Sequence, residues 1–386
     1  MREVYLDNSA TTQVVPEVAA AMQEMLTENF GNPSSLHRRG LLAERAKKEA
    51  RRVVAQACDV KEQEILFTSG GTEANNLAIK GVARRWRRRG NHLLTTKIEH
   101  PSVLYAYQAL EQEGFEVTYL DVDEDGLVTA EAVTAAMRAD TLLVSIMHVN
   151  NEVGSILPVA EIGPQIKAKN PQTLFHVDAV QSLGKLTLRP HAWQADLLTV
   201  SAHKIHGPKG CGALYRKDGL LLSPLLHGGD QEQGVRPGTE NMAGIVGFAT
   251  AVRLILAQQE DNYQQLVKLK QMFSEGLQTR LPEIRQNGPL NGAPHILNLT
   301  VPDIKGEVLV HALAEEGIYL STGSACHAHR AAPSHVLLAM GRSPQQIAAS
   351  LRLSFSALLT AADVEYALEK ITAAVTTLRL MTRRKP

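Results

Sequence analysis

The run EILFTSGGTEANNLAIKGVARRW, Glu64 to Trp86, decides the fold. Its first part, EILFTSG, reads as a short apolar strand, and TEANNLAIKGVARRW reads as a helix. Gly70 and Gly71 stand at the joint and leave backbone N–H groups bare where the helix begins, near Thr72. A helix N-terminus of this kind can cradle a phosphate. A Gly-Gly turn capped by threonine is also an ordinary connection in an α/β chain. The spacing is not the G-x-G-x-x-G of dinucleotide sites.

The same alternation continues on both sides. HLLTTKIEH is a strand, PSVLYAYQALEQEG a helix closed by Gly114, and FEVTYLDVD, TLLVSIMHVN, TLFHVDAV and ADLLTVSAH are further strands. Continuously apolar strands separated by helices predict a mostly parallel sheet covered on both faces. CGALYRK adds a later strand, expected to be antiparallel at the sheet edge. Upstream, PEVAAAMQEMLTENF starts with helix-compatible Pro16 and sets Val18, Met22, Met25 and Leu26 on one face. LLAERAKKEARRVVAQAC is a second amphipathic helix.

Near residue 250 the character changes. AVRLILAQQEDNYQQLVKLKQMFSEGLQTRL reads as one long helix bridging to a second unit. That unit runs strand (HILNLTV), helix, a loop bearing Cys326, helix, strand (SLRLSFS) and a terminal helix. A chain of 386 residues exceeds what one core comfortably fills. We expect a large α/β domain over 15–258, and a smaller α+β domain built from 1–14 and 259–386.

Lys+Arg and Asp+Glu both number 40, so the formal charge is zero. A nucleic-acid binder carries a basic excess, and none is present. No apolar run reaches the length of a membrane span. Three scattered cysteines, Cys58, Cys211 and Cys326, form no disulfide framework and point to a reducing cytoplasm. The N-terminal MREVYLDNSATT has no apolar core of a secretion signal. Arg84–Arg89, RRWRRR, reads as a solvated helix face, and Cys58 and Cys211 as packed thiols.

In open α/β sheets ligands sit beyond the carboxyl ends of the strands. The polar stretches TSGGTEANN, EHPS, HVNNEVG, VDAVQS and SAHKIHG all follow strands at that end. Lys204 follows one strand between His203 and His206. A lysine so placed can be a nucleophilic amine, though most lysines in basic turns are solvated. Asp178 ends another strand, where it can hold a ring nitrogen protonated or simply cap the next turn. A phosphate cradle, an amine and an acid at a strand end together suit pyridoxal phosphate (PLP).

Nine stretches carry a wider likeness: YLDNSATT, FGNPSSLH, FTSGGTEANNLAIKG, EHPSV, SIMHVNNEVG, HVDAVQSLGK, SAHKIHGPKGCGALY, GVRPGTEN and STGSAC. In order and approximate spacing the chain resembles the cysteine desulfurases, class-V enzymes of the PLP-dependent transferase fold type I. The resemblance implies that Lys204 bonds PLP, that Asp178 pairs with its ring nitrogen, and that His100 stacks on the ring and handles a proton. It implies that Asn151 and Gln181 reach the ring oxygen. Thr72, Ser201 and His203, with the Gly71–Thr72 backbone, would hold the phosphate. Thr239 would reach it from the neighbouring subunit of a homodimer, and Arg352, with Asn151, would bind the substrate carboxylate.

Cys326 would take the sulfur of L-cysteine as a persulfide, leaving L-alanine, and pass it to an acceptor or iron–sulfur scaffold protein. His327, His329 and Arg330 stand close enough in sequence to favour its thiolate. Adjacent Cys326 and His327 can hardly chelate one metal ion, so no metal is expected. His327 after the cysteine and RPGT before Glu240 are features of the related selenocysteine lyases, which makes L-selenocysteine the alternative substrate. A catalytically silent docking scaffold and an ordinary aminotransferase are the other readings. The first leaves Lys204, Asp178, Cys326 and Arg352 without a purpose, and the second leaves Cys326 unexplained.

Overall fold

A computed structural model describes residues 2–322 and 333–383; Cys326, His327, His329 and Arg330 lie outside the described residues. In chain order the strands are β1 (Val4–Tyr5), β2 (Ile65–Thr68), β3 (His92–Thr96), β4 (Glu116–Leu120), β5 (Thr141–Met147) and β6 (Leu174–Asp178), followed by β7 (Leu197–Ser201), β8 (Gly212–Arg216), β9 (Arg285–Asn287), β10 (Ile296–Thr300), β11 (Ile318–Tyr319) and β12 (Ser350–Ser354). The helices are α1 (Pro16–Thr27), α2 (Arg38–Ala57), α3 (Gly71–Trp86), α4 (Pro101–Gln112), α5 (Ala130–Ala136) and α6 (Val159–Lys169), then α7 (Met242–Ala257), α8 (Gln259–Arg280), α9 (Gly306–Ala314), α10 (His335–Ala339), α11 (Pro344–Ala348) and α12 (Ala361–Arg383).

Seven strands form the large sheet in the order β2-β8-β7-β6-β5-β3-β4. Every neighbouring pair is parallel except the two that involve β8. The expected antiparallel strand is therefore present, but β8 lies inside the sheet and β2 takes the edge. β2, β3, β5 and β7 are buried at every position, as strands covered on both faces must be. One hydrophobic cluster, with Val144, Phe175 and Phe248, covers one side, and another, with Leu77, Tyr107 and Leu143, covers the other.

The second unit holds the antiparallel sheet β12-β10-β9 and the parallel pair β1-β11. Its core gathers Phe273 of α8, Leu309 of α9, Leu353 of β12 and Leu368 of α12, together with Val4 and Leu6 from the chain start. Val336, Leu337, Met340 and Ile347 fall within 259–386 but pack in the large cluster with Val144 and Phe175.

Two helical expectations change in detail. The long helix near residue 250 is two helices, α7 and α8, bent by 74°. Gln258 sits at the bend with φ −129° and ψ 22°, and the break lets α7 bury Phe248 in one core while α8 buries Phe273 in the other. On α1, Val18 and Met25 are buried, whereas Leu26 is 65% exposed. Cys58 and Cys211 are buried, and burial pushes each thiol up to about 12. The arginine run is dispersed: Arg84 pairs with Glu113, and Arg87 and Arg89 lie over Phe115 and Trp86. No single helix among the described residues is long and apolar enough to cross a membrane.

Candidate active site

A cavity of about 300 Å³ opens beyond the carboxyl ends of β5, β6 and β7 and against the first turn of α3. Gly71, Thr72, His100, Asn151, Asp178 and Gln181 line it, as do Ser201, His203, Lys204 and Arg352. Of the expected site residues that are described, one is not there. Thr239 is exposed and does not line the cavity of its own chain, and Cys326 is outside the described residues.

Local structure explains the placements. Gly70 takes φ +148°, and a Cβ on Gly71 would lie 2.9 Å from a methyl of Val180. The Gly-Gly joint thus brings the start of α3 against the turn after β6, where only glycine fits. The first-turn amides of a helix have no intrahelical acceptor, which leaves those of Gly71 and Thr72 available to an anion. The neighbouring Ser69 amide is taken by Glu73 Oε2 at 2.7 Å, and Arg236 Nε donates to Glu73 Oε1 at 2.8 Å. That ion pair ties the loop leading to Thr239 onto α3.

Asp178 ends β6 and is buried. Its Oδ1 accepts from the Val180 amide at 3.0 Å, so the turn-capping role is real. Its Oδ2 accepts from Asn75 Nδ2 at 2.8 Å, and the same Nδ2 lies 2.8 Å from Ser102 Oγ. Ser102 Oγ in turn lies 2.8 Å from His100 Nδ1. Burial pushes the Asp178 carboxyl up from its ordinary value, against the hydrogen bonds from Val180 and Asn75 and the charge of Lys204. A cationic ring nitrogen would supply the counter-charge this buried acid needs.

His100 caps α4, with Pro101 at the first helical position and the Ser102 amide donating to its Nδ1 at 3.2 Å. In the neutral ring that bond leaves the proton on Nε2. Lys204 lies in the tight turn after β7, and its Nζ donates to Ala10 O at 2.7 Å and to Ser9 O. His203 Nδ1 lies 3.1 Å from Thr11 Oγ1. Burial, with the nearby Lys204 charge, lowers His203 to about 3, so it meets a ligand as a neutral ring.

Arg352 projects from β12 and is 2% exposed. Nη2 donates to Asp7 Oδ1 at 2.8 Å and Nη1 to Asn151 O at 3.1 Å. Its buried Nε has no partner among the described residues. An orphaned guanidinium N–H at the cavity wall suits an incoming carboxylate.

The residues present fit pyridoxal phosphate. Ser201 Oγ, Gln181 Oε1 and Asn75 Oδ1 are buried at the cavity without a partner among the described residues, an expensive arrangement unless a ligand satisfies them. Asp178 and Lys204 face the same space, as an acid and amine for the ring must. Sequence reasoning missed Asn75, Ser102 and Asp7. Asn75 stands four residues after Gly71, one turn along the same face of α3, and that spacing was the available signal. Asp7 gave none, because its partner Arg352 is 345 residues away.

Residues 4–367 match the family model described as Aminotransferase class-V. The chain belongs to that family. It is 46% identical over 371 residues to a protein of Clostridium botulinum named cysteine desulfurase IscS, covering 95% of this chain and 93% of that one. It is 46% identical over 386 residues to a namesake in Methanosarcina thermophila, covering 100% and 95%. A solved "NifS-like protein" superposes with TM-score 0.92 at 38% identity, covering 97% of this chain and 100% of the other. A structure described as SspA in complex with cysteine gives 0.81 at 36%, covering 93% and 100%. Within the class-V fold the chain is thus a PLP-dependent cysteine desulfurase.

Proposed function

We propose that the chain removes sulfur from L-cysteine, leaves L-alanine, and carries the sulfur as a persulfide on Cys326 for delivery to an acceptor protein. The observation that carries this reading is the meeting of Lys204, Asp178, His100 and Arg352 around one cavity. When bound, pyridoxal phosphate supplies an electron sink that weakens the bonds around the substrate Cα and Cβ.

The chain's own residues do the rest. Lys204 anchors the cofactor and receives or returns a proton at its Nζ. Asp178, steadied by Asn75, keeps the ring nitrogen protonated. His100 would cover the ring face, and it holds a proton on Nε2. Gly71, Thr72, Ser201 and His203 bind the phosphate, joined by Thr239 of a second subunit. Gln181 and Asn151 orient the ring, and Arg352 with Asn151 holds the substrate carboxylate. The Cys326 thiolate forms a bond to the substrate sulfur as the C–S bond breaks, and the carbon left behind takes a proton to become alanine.

The described residues that flank Cys326 in sequence, at both ends, support this role for it. Ser321 pairs with Arg352 through N···O contacts of 3.2 and 2.7 Å. On the C-terminal side, Ser334 Oγ donates to Glu152 Oε2 at 2.5 Å, and His335 Nε2 lies 2.9 Å from Glu99 O. Both ends therefore attach beside Arg352 and Asn151. L-selenocysteine stays an alternative substrate that the relatives do not favour. We place the protein in the cytoplasm as a homodimer, on the scattered cysteines and on Thr239 lying outside its own cavity.

The test is direct. Purified protein should be yellow and should convert L-cysteine to alanine with sulfide released under reductant. Cys326→Ala should keep the colour and lose the turnover. Colourless protein, or a Cys326→Ala variant with full activity, would end the reading.

A further inference from the structure

A second cavity, of about 480 Å³, shares Lys204 with the first and no other residue. That volume lies in the range of ligand pockets, ~300–1,000 Å³. Its walls come from both cores: Val15 before α1 and Ile255 of α7 on one side, Leu266 of α8 and Phe355 on the other, with exposed Leu358 at the rim. Gln258 and Asn262 add neutral polar groups near the α7–α8 bend.

One lysine besides Lys204 faces this space. Gly184 takes φ +72°, and a Cβ there would lie 2.9 Å from the Ile255 side chain, so the turn presenting Lys185 requires glycine. Lys185 Nζ donates to the backbone carbonyl of Lys204 at 2.8 Å and forms no ion pair among the described residues. An ammonium has three donors, so capacity for a ligand is left. Glu17 apart, its charged and titratable neighbours among the described residues offer no anion to it. Lys204 repels it, and His203, His206 and His295 are held neutral mainly by burial. Both ring nitrogens of His206 are engaged, by Gln13 O and Ser356 Oγ at 2.9 Å each. The one carboxylate on the wall, Glu17, sits exposed in the first turn of α1, where it complements the helix N-terminus.

We propose that this cavity binds a small aliphatic monocarboxylate, with its carboxylate on Lys185 and its hydrocarbon body between α7, α8 and Leu358. Apart from Lys204, a single ammonium and no arginine line the walls among the described residues, which matches one negative charge better than a phosphate. The apolar walls reward a branched hydrocarbon rather than a second polar group. Burial, with the Lys204 charge, lowers Lys185 to about 7, and a bound carboxylate would restore its charge. The proposal does not depend on the chemistry at Lys204.

Calorimetric titration of the cofactor-loaded protein with 4-methylpentanoate tests it. We expect one saturable site per chain that excess L-alanine does not displace. 4-Methylpentan-1-ol, which lacks the charge, should bind at least about tenfold more weakly, as should the acid to Lys185→Met. Leu254→Trp, which fills the cavity mouth, should abolish binding with no change in the cofactor spectrum. If Lys185→Met fails to fold, the alcohol and Leu254→Trp still decide. Absence of a saturable site, displacement by alanine, or equal binding of acid and alcohol would overturn the proposal.

Discussion

Asn75 holds more of the active site together than a mid-turn helix residue ordinarily does. It joins Asp178 to Ser102, and Ser102 joins His100, so one side-chain amide sets both the acid and the imidazole. Asn75→Ala removes a hydrogen bond from a buried carboxylate, which costs about 1–3 kcal/mol. Thermal melts should show that loss, and activity should fall by more than the fraction unfolded explains. Arg352 makes a different prediction. Arg352→Lys keeps the charge but not the planar fork, so KM for cysteine should rise by roughly tenfold or more while the cofactor spectrum is unchanged. Steady-state kinetics with parallel spectra separate these effects.

Glu99 lies beside His100, fully buried, with Oε1 bonded to Thr96 Oγ1 and the Met147 amide at 2.9 Å. Burial pushes its carboxyl up to about 8 from the ordinary 4.5, and the charge of Asp178 adds to the rise. Folding therefore takes up a proton. The stability this contributes is complete below pH 4.5 and is lost as pH rises through about 8, at up to about 1.4 kcal/mol per pH unit. Denaturant titrations across that window should show the decline in the wild type and a flatter line in Glu99→Gln.

At the scale of elements, the sequence announced the large sheet because its strands are short, continuously apolar and followed by polar loops. β8 shows where that reading runs out. CGALYRK betrays its strand character, but its position between β2 and β7 depends on hydrogen bonds to strands far away in the chain. The α7–α8 bend escaped notice because Gln258 is no helix breaker; only the need to fill two cores places a turn there. The edge strand β2 is protected by a device equally invisible in sequence. Glu232 accepts the Phe67 amide at 2.8 Å and binds Arg51 through two contacts of 2.7 and 2.6 Å. Glu232→Ala strands a largely covered guanidinium and uncaps the edge, at a cost of about 3 kcal/mol. Equilibrium unfolding should register it.

For the whole molecule, the two cores meet around Lys204: one cavity is the proposed cofactor site and the other borders the α7–α8 bend. The chain start belongs to this arrangement, since Asp7 holds Arg352 and Ser9 and Ala10 hold Lys204. Phe30, Leu36 and Leu226 are 62, 95 and 61% exposed, and the proposed dimer would cover apolar side chains of this kind. We expect sedimentation to give a dimer, and Leu36→Glu to shift it toward monomer with weaker cofactor retention. The most direct measurement is intact-mass and peptide mass spectrometry of the yellow protein after one turnover of L-cysteine without reductant. Sulfur transfer to Cys326 predicts one added sulfur atom per chain, located on that residue, with one alanine formed. Alanine formation with Cys326 unmodified would contradict it.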